Sequence, residues 1–128
     1  MGAELTAAVK AAVPACEAVA LGTNAIATAA MLKAGADCGA TGENAVVVNC
    51  KNADIIVGPL GIIAADSLMG EVTPAMAAAV GSSQAKKILL PTSRCNYTVV
   101  GAAELPLAKA VALAAAKAAQ FIKEAEKQ

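Results

Sequence analysis

Short apolar runs alternate with alanine-rich stretches along this chain, and most of these runs end in loops of glycine, hydroxyl or amide residues. Runs of this kind, bounded by Gly, Pro or Asn, predict β-strands at residues 16–21, 54–57, 87–90 and 97–100. Strands that alternate with helices usually pair in parallel, with the helices packed on both faces of the sheet. We therefore expect an α/β fold in one domain over residues 1–128, with three layers and a doubly wound, mostly parallel sheet.

Capping residues, helix-ending residues and apolar periodicity predict four helices, at about 3–13, 25–34, 73–80 and 106–127. Asn24 is placed as the amino-terminal cap of the second helix. Thr73 and the following Pro74 are typical of the start of the third. The fourth and longest repeats apolar residues every three or four positions, which is typical of a helix with one buried face.

Two further segments allow more than one interpretation. Residues 43–52 are best interpreted as a helix, because Thr41, Glu43 and Asn44 resemble a helix start and the strand at 54–57 then follows after a short turn. Strand-like residues at 46–48 leave a strand open as the alternative. Residues 62–69 fit either a helical turn or a second short strand.

The composition argues against nucleic acid as a partner. The formal net charge is zero, with 10 basic and 10 acidic residues, and the chain has one Tyr, one Phe and no Trp. It therefore lacks both the basic surface that attracts phosphate backbones and the aromatic platforms on which bases stack. Because a surface of zero net charge favours association, we expect a homo-oligomer.

The chain has four cysteines without a C-x-x-C pair and no histidine. We expect no metal site, since a zinc site would need all four scattered thiolates. The absence of histidine excludes Cys–His and Ser–His–Asp mechanisms. Free thiols and the lack of a secretion signal indicate a cytoplasmic protein. No membrane span is expected, because Lys109 and Lys117 interrupt the most apolar stretch, at 105–122.

Ligands of open parallel sheets bind at the carboxyl ends of the strands. The loops there are rich in glycine, hydroxyl and amide groups, and backbone N–H groups at the following helix starts favour anions. We expect a small anionic metabolite or a nucleotide at this edge, with a dinucleotide as a further option. The predicted ligand-binding residues are Gly22, Thr23, Asn24, Thr41, Gly42, Gly58, Pro59, Gly61, Thr92, Ser93 and Arg94.

Three side chains near this edge have chemistry of their own. Arg94 is the only arginine of the chain, and its guanidinium can bind a phosphate or carboxylate through two hydrogen bonds. Cys95, beside it, is a weak candidate for a reactive thiol, because a neighbouring cation lowers a thiol pKa. Glu43 is expected to interact with the dipole of its helix rather than to act as a general base.

Four segments resemble a family of short bacterial proteins that is known only as a domain of unknown function: LGTNAIATAAMLKAGA, GATGENAVVVN, ADIIVGPLGIIAADSLMGEVTPAMAAAVGSS and KKILLPTSRCN. The resemblance covers nearly the whole chain up to about Gly101. Members of the family are similar to Rossmann-type domains. The resemblance therefore implies a Rossmann-like fold, and it implies no activity.

The chain departs from the family in one respect. There, a leading strand and a G-x-G-G-G-x-G loop precede the first helix, whereas Met1 and Gly2 stand here where that loop ends. The resemblance thus implies that the middle strand and the usual phosphate loop are missing. Either the start was placed too far downstream or a partner supplies the strand. We expect a gap beside the strand at 16–21, since exposed strand edges invite pairing with another chain.

Two classes of function follow. The first is binding of a small anionic metabolite or nucleotide at the strand ends. The second is a non-catalytic, structural role as a subunit of a homo-oligomer. A redox role through Cys95 is a third option, and nothing in the sequence decides whether the chain is an enzyme.

Overall fold

The computed structural model describes residues 1–91 and 96–127. These residues form a mixed α/β structure with five α-helices and four β-strands. In chain order the elements are α1 (Gly2–Ala12), β1 (Val19–Gly22), α2 (Ala25–Lys33), β2 (Cys38–Thr41), α3 (Glu43–Cys50), β3 (Ile55–Pro59), α4 (Pro74–Ser82), β4 (Lys86–Leu90) and α5 (Leu107–Glu126). A 3₁₀ turn over Leu60–Ile63 follows β3.

The strands form two separate parallel pairs instead of the one continuous sheet that was expected. In the first sheet β1 pairs with β2, and Val19 lies opposite Cys38. In the second, β3 pairs with β4, and Ile55 lies opposite Lys86. The described residues provide no strand that joins β1 to β3, and this is the physical reason why the sheet is interrupted.

The sequence predicts no element for one of the strands, and one strand prediction is wrong. Residues 38–41 form β2, because pairing with β1 makes a strand of a short segment that has little strand preference of its own. Residues 97–100 were assigned to a strand, yet Tyr97, Val99 and Val100 are exposed and irregular. No strand within the described ranges lies beside them, so their strand-forming side chains have nothing to pair with.

The helix predictions are confirmed, with ends that differ by a few residues. Residues 43–52, which allowed a helix or a strand, form the helix α3, so the alternative prediction of a strand at 46–48 is wrong. Residues 62–69 start in the 3₁₀ turn and continue as turns rather than as a strand. Asn24 caps α2 with its side chain, and Thr73 caps α4 ahead of Pro74, as their positions in the sequence predict.

Two clusters of buried side chains hold the elements together. The first joins α3 to α4, and partly buried Leu21 of β1 and Ile56 of β3 pack against it. Its buried members are Val46, Cys50, Val72, Met76, Ala77 and Val80. The second joins α1, β4 and α5 through Leu5, Leu90, Val111 and Ala114. The first cluster therefore contacts both sheets from one face, while α1 lies on the other cluster and packs against both α2 and α5.

Asp37 ties the connection between α1 and β1 to the start of β2. Its carboxylate accepts a hydrogen bond from the Ala18 N–H at 2.7 Å and another from Lys10 Nζ at 3.0 Å. Lys10 Nζ also donates to the carbonyl oxygen of Cys16 at 2.8 Å. The hydrogen bond from Ala18, followed by that from Lys10, lowers the pKa of Asp37 below its ordinary value of 3.8.

This network makes stability depend on pH. Because the folded pKa of Asp37 is lowered, its charged form stabilises the chain above the ordinary pKa, and that stabilisation is lost as the pH falls through the folded pKa. Asp37→Asn should unfold at a lower temperature than the unchanged chain at neutral pH, and the difference should shrink in acid. Thermal unfolding followed by circular dichroism at several pH values checks this. A difference that stays constant from neutral to strongly acidic pH would contradict it, and Asp54→Asn is the control at another exposed carboxylate.

The first buried cluster is expected to set much of the stability. Met76 is 5% exposed within it, whereas Met69 is fully exposed. Met76→Ala should lower the free energy of unfolding by about 2–5 kcal/mol, because it removes buried atoms and leaves a cavity. The same substitution at Met69 should change it by less than about 0.5 kcal/mol. Urea denaturation of both variants measures the two values, and equal losses would show that the cluster is wrongly assigned.

Candidate functional site

The carboxyl ends of β1 and β2 bring five of the predicted ligand-binding residues to one place. Gly22 and Thr41 are the paired last residues of the two strands, and the Gly42 N–H donates to the Gly22 carbonyl oxygen at 3.0 Å. Thr23 and Asn24 continue directly from β1 into α2. The neighbouring loops thus meet at one edge, which is the placement that the parallel strands predict.

The two glycines of this edge have different physical roles. A Cβ atom at Gly22 would collide with the side chain of Thr28 and lie 2.9 Å from the Asn24 carbonyl oxygen, so glycine allows α2 to pack closely on β1. Gly42 has a φ of 102° and open space around its Cβ position. It is therefore needed for the backbone conformation that starts α3, and its surface remains open to solvent.

A hydroxyl pair between the buried Thr28 and the exposed Thr41 fixes the two strand ends relative to α2. The Thr28 and Thr41 hydroxyl oxygens lie 2.8 Å apart, and Thr28 is 5% exposed. Thr28 also donates to the carbonyl oxygen of Asn24 at 3.2 Å. The Thr41 side chain is thus held by a structural partner on α2.

Glu71 completes this edge from a distant part of the chain. Its carboxylate accepts a hydrogen bond from Thr23 Oγ1 at 3.1 Å and another from Asn24 Nδ2 at 3.4 Å. Asn24 uses its other side-chain atom, Oδ1, to accept from the Ala27 N–H and cap α2. The Asn24 side chain therefore connects a helix cap to the carboxylate of Glu71.

An unusual loop presents Glu71. Asp66, Leu68 and Met69 have positive φ values of 63°, 55° and 56°, which non-glycine residues rarely adopt. The Asp66 N–H donates to the Val72 carbonyl oxygen at 2.7 Å and closes the loop on itself. Such backbone strain persists only where the surroundings hold it, and it is common at functional sites.

A second carboxylate lies in the first turn of α3. Glu43 Oε1 accepts a hydrogen bond from Thr73 Oγ1 at 2.7 Å. Thr73 itself caps α4 by accepting from the Met76 N–H at 3.1 Å. Glu43 is exposed and lies where a helix dipole favours negative charge, as expected from the sequence.

The glycines after β3 have local packing roles. Gly58 is buried in β3, and a Cβ atom there would lie 3.0 Å from the side chain of Ile62. Pro59 ends the strand, and Gly61 is buried in the 3₁₀ turn, where its carbonyl oxygen accepts a hydrogen bond from Ser67 Oγ at 2.5 Å. Within residues 1–91 and 96–127, no hydrogen bond joins Gly58, Pro59 or Gly61 to Glu71 or to its partners Thr23 and Asn24.

The remaining predicted residues lie outside the described part of the chain. They are Thr92, Ser93, Arg94 and Cys95.

Among the described residues, no group of three or more His, Cys, Asp or Glu side chains is arranged to hold a metal ion. None of the helices in the described ranges has the length and hydrophobicity that a membrane span requires.

The described cysteines are free thiols in different settings. Cys38 is exposed on β2, Cys16 is intermediate and Cys50 is buried. Burial raises the pKa of the Cys50 thiol, with a smaller opposing effect from Lys87. Cys50 therefore acts as a small apolar member of the core rather than as a nucleophile.

A family model described as a domain of unknown function (DUF3842) matches residues 1–123. The chain belongs to the DUF3842 family. The expected membership of an uncharacterised family is thereby confirmed. Neither a search of curated proteins nor a search of solved structures produced a match.

In the DUF3842 chain, the close packing at Gly22 leads to a direct test. Gly22→Ala should lower the free energy of unfolding by about 1–3 kcal/mol, because the added methyl group overpacks the contact with Thr28. Gly81→Ala is the control, since Gly81 lies in α4 with open space around its Cβ position. It should be neutral or should stabilise the chain by up to about 1 kcal/mol. Denaturant unfolding compares them, and a harmless Gly22→Ala would contradict the assigned role.

Proposed function

We propose that this chain binds a nucleotide or a similar small anionic metabolite at the carboxyl ends of β1 and β2. In this proposal a sugar hydroxyl of the ligand donates a hydrogen bond to Glu71. The ligand lies across the loop of Gly22, Thr23 and Asn24 and reaches the open surface at Gly42. A dinucleotide fits the same proposal.

The arrangement of Glu71 carries this proposal. Thr23 and Asn24 each donate to one oxygen of its carboxylate, and these bonds fix the orientation of the group. Glu71 is nevertheless exposed. A carboxylate offers about four acceptor positions, so acceptor positions remain for donors from a ligand. In doubly wound folds an acidic side chain near a strand end commonly accepts hydrogen bonds from a ribose.

Charge decides how such a ligand would be oriented. Glu43 and Glu71 are acidic, and the described residues at 22–24, 41–43 and 71–73 include no lysine or arginine. A bare phosphate ion would therefore be repelled, whereas a sugar with hydroxyl donors would be attracted. The phosphate groups would lie away from both carboxylates. Arg94 follows β4 in the sequence and is the residue that we propose to contact them.

A structural role as a homo-oligomer is the second candidate. Ile26 on α2 is 84% exposed and Leu113 on α5 is 60% exposed. Large apolar side chains on outer helix faces favour association when they lie in one patch. Light scattering at several protein concentrations tests this candidate, which a monomer at every concentration would exclude.

Ligand binding is tested by thermal unfolding with ATP, NAD, NADP, flavin nucleotides and inorganic phosphate. A ligand present at 100 times its Kd should stabilise the chain by about 2.7 kcal/mol, which is several degrees in Tm. We expect a nucleotide to raise Tm and inorganic phosphate to have no effect.

Glu71→Gln assigns the binding to the proposed site. It should weaken nucleotide binding by about tenfold or more, because a hydrogen bond to a charged group contributes about 1.5–3 kcal/mol. Glu17→Gln is the matched control, at an exposed carboxylate that precedes β1. Equal Kd values for the two variants in calorimetry would place the ligand elsewhere. No Tm shift with any nucleotide, in a chain that unfolds cooperatively, would overturn the proposal.

A further inference from the structure

Two sides of α2 pack inside the molecule. On the side toward β2, a Cβ atom at Gly39 would lie 3.0 Å from Thr28 Cγ2 and 3.2 Å from Leu32 Cγ. On the side toward α1, a Cβ atom at Gly2 would lie 2.8 Å from Met31 Sδ. The glycines therefore let the strand and the first helix approach α2 closely, and these contacts fix which sides of α2 face inward.

The remaining side of α2 faces outward. It is formed by Ile26, Ala29, Ala30 and Lys33, and we call these four residues the α2 outer face. Residues at this spacing share one side of a helix. All four are exposed, Ile26 to 84%. The helix has no charged residue before Lys33, and a helix that is apolar all round is normally buried. The α2 outer face is therefore expected to be covered by another molecule.

The two ends of this face carry opposite charges. Lys33 lies in the last turn of α2. Lys10 also lies near this end, but it is paired with Asp37 at 3.0 Å. At the amino end, the exposed carboxylate of Glu71 accepts a hydrogen bond from the capping residue Asn24. The face thus runs from a carboxylate at one end to an ammonium group at the other.

This charge distribution identifies a second copy of the chain as the occupant. In a two-fold dimer the same face is present on both copies, so residue i of one copy meets residue j of the other and the reverse. Two parallel α2 helices would bring the two Lys33 side chains together. Two antiparallel helices would instead bring each Lys33 to the end that carries Glu71, which makes the face complementary to itself.

The apolar residues suit the same arrangement. Ala29 and Ala30 lie at the middle of the face, and such small side chains allow a short distance between helix axes. In the antiparallel arrangement Ile26 of one copy meets the aliphatic stem of Lys33 from the other. A lysine stem can cover apolar surface while its ammonium group stays at a polar edge.

We propose that two copies of this chain associate through the α2 outer face across a two-fold axis, with the α2 helices antiparallel and Lys33 of each copy beside Glu71 of the other. The nine residues of α2 span only about 13 Å, so association is reversible and depends on concentration. The dimer makes the second candidate function specific, and it rests on that candidate rather than on ligand binding.

Substitutions on two helices locate the interface. Ile26→Asp should weaken association by at least about tenfold in sedimentation equilibrium, because it places a charge in the middle of an apolar contact. Leu113→Asp is the matched control, at an apolar side chain of α5 that is 60% exposed, and it should leave association unchanged. Loss of association with Leu113→Asp alone would overturn this dimer and leave the second candidate function standing. A monomer at every concentration would remove both.

Charge reversal tests the antiparallel orientation. Lys33→Glu and Glu71→Lys should each weaken association by at least about tenfold, because like charges then face each other. An equal mixture of the two variants should associate at least as well as the unchanged chain, since each contact between unlike copies again joins opposite charges. Thermal unfolding by circular dichroism shows whether each variant folds. Unchanged association of both single variants, or a mixture of two folded variants that stays monomeric, would overturn the proposal.

Discussion

Backbone hydrogen bonding in β1 and β3 is the constraint around which the rest of the structure is arranged. Each strand has a partner on its outer side only, so its inner N–H and C=O groups meet no other strand of the described residues. The helices nevertheless pack as they would on a continuous layer. The cluster of α3 and α4 contacts both sheets from one face, and α1 packs against helices beside both sheets. The helix packing therefore holds the two pairs in one structure, although no strand of the described residues pairs with both of them.

The same parallel arrangement brings polar side chains together at the edge formed by the carboxyl ends of β1 and β2. Parallel strands end on the same side, and the connections that follow β1 and β2 start helices with a capping amide at Asn24 and a glycine at Gly42. The loop before α4 crosses to this edge and contributes Glu71. Carboxylates and helix starts thus lie together. This distribution is the reason why we propose a ligand with hydroxyl donors rather than a simple anion.

Local rules predicted the parts of the fold that depend on local interactions. Asn24 and Thr73 cap helices as predicted, because side-chain capping involves residues only three positions apart. The same rules could not predict elements that depend on contacts between residues far apart in the sequence. The segment over residues 38–41 is a strand only because β1 lies beside it, and Tyr97 lies in a segment that has strand-forming residues and no partner. The place of Glu71 at the site could not be predicted from local sequence patterns, since its hydrogen-bond partners lie 47 and 48 residues away.

Amide hydrogen exchange on the 128-residue chain, resolved by NMR, tests the interrupted sheet most directly. Successive residues of a parallel strand direct their backbone N–H groups to opposite sides. The N–H groups of Ala20 and Ile56 face the partner strands, whereas those of Leu21 and Val57 face the unpaired edges of β1 and β3. Because an amide without a hydrogen-bond partner exchanges without local unfolding, we expect Leu21 and Val57 to exchange at least about 100-fold faster than their paired neighbours. Equal protection of all four amides in a monomeric chain would show that β1 and β3 are already paired, and would contradict the interrupted sheet.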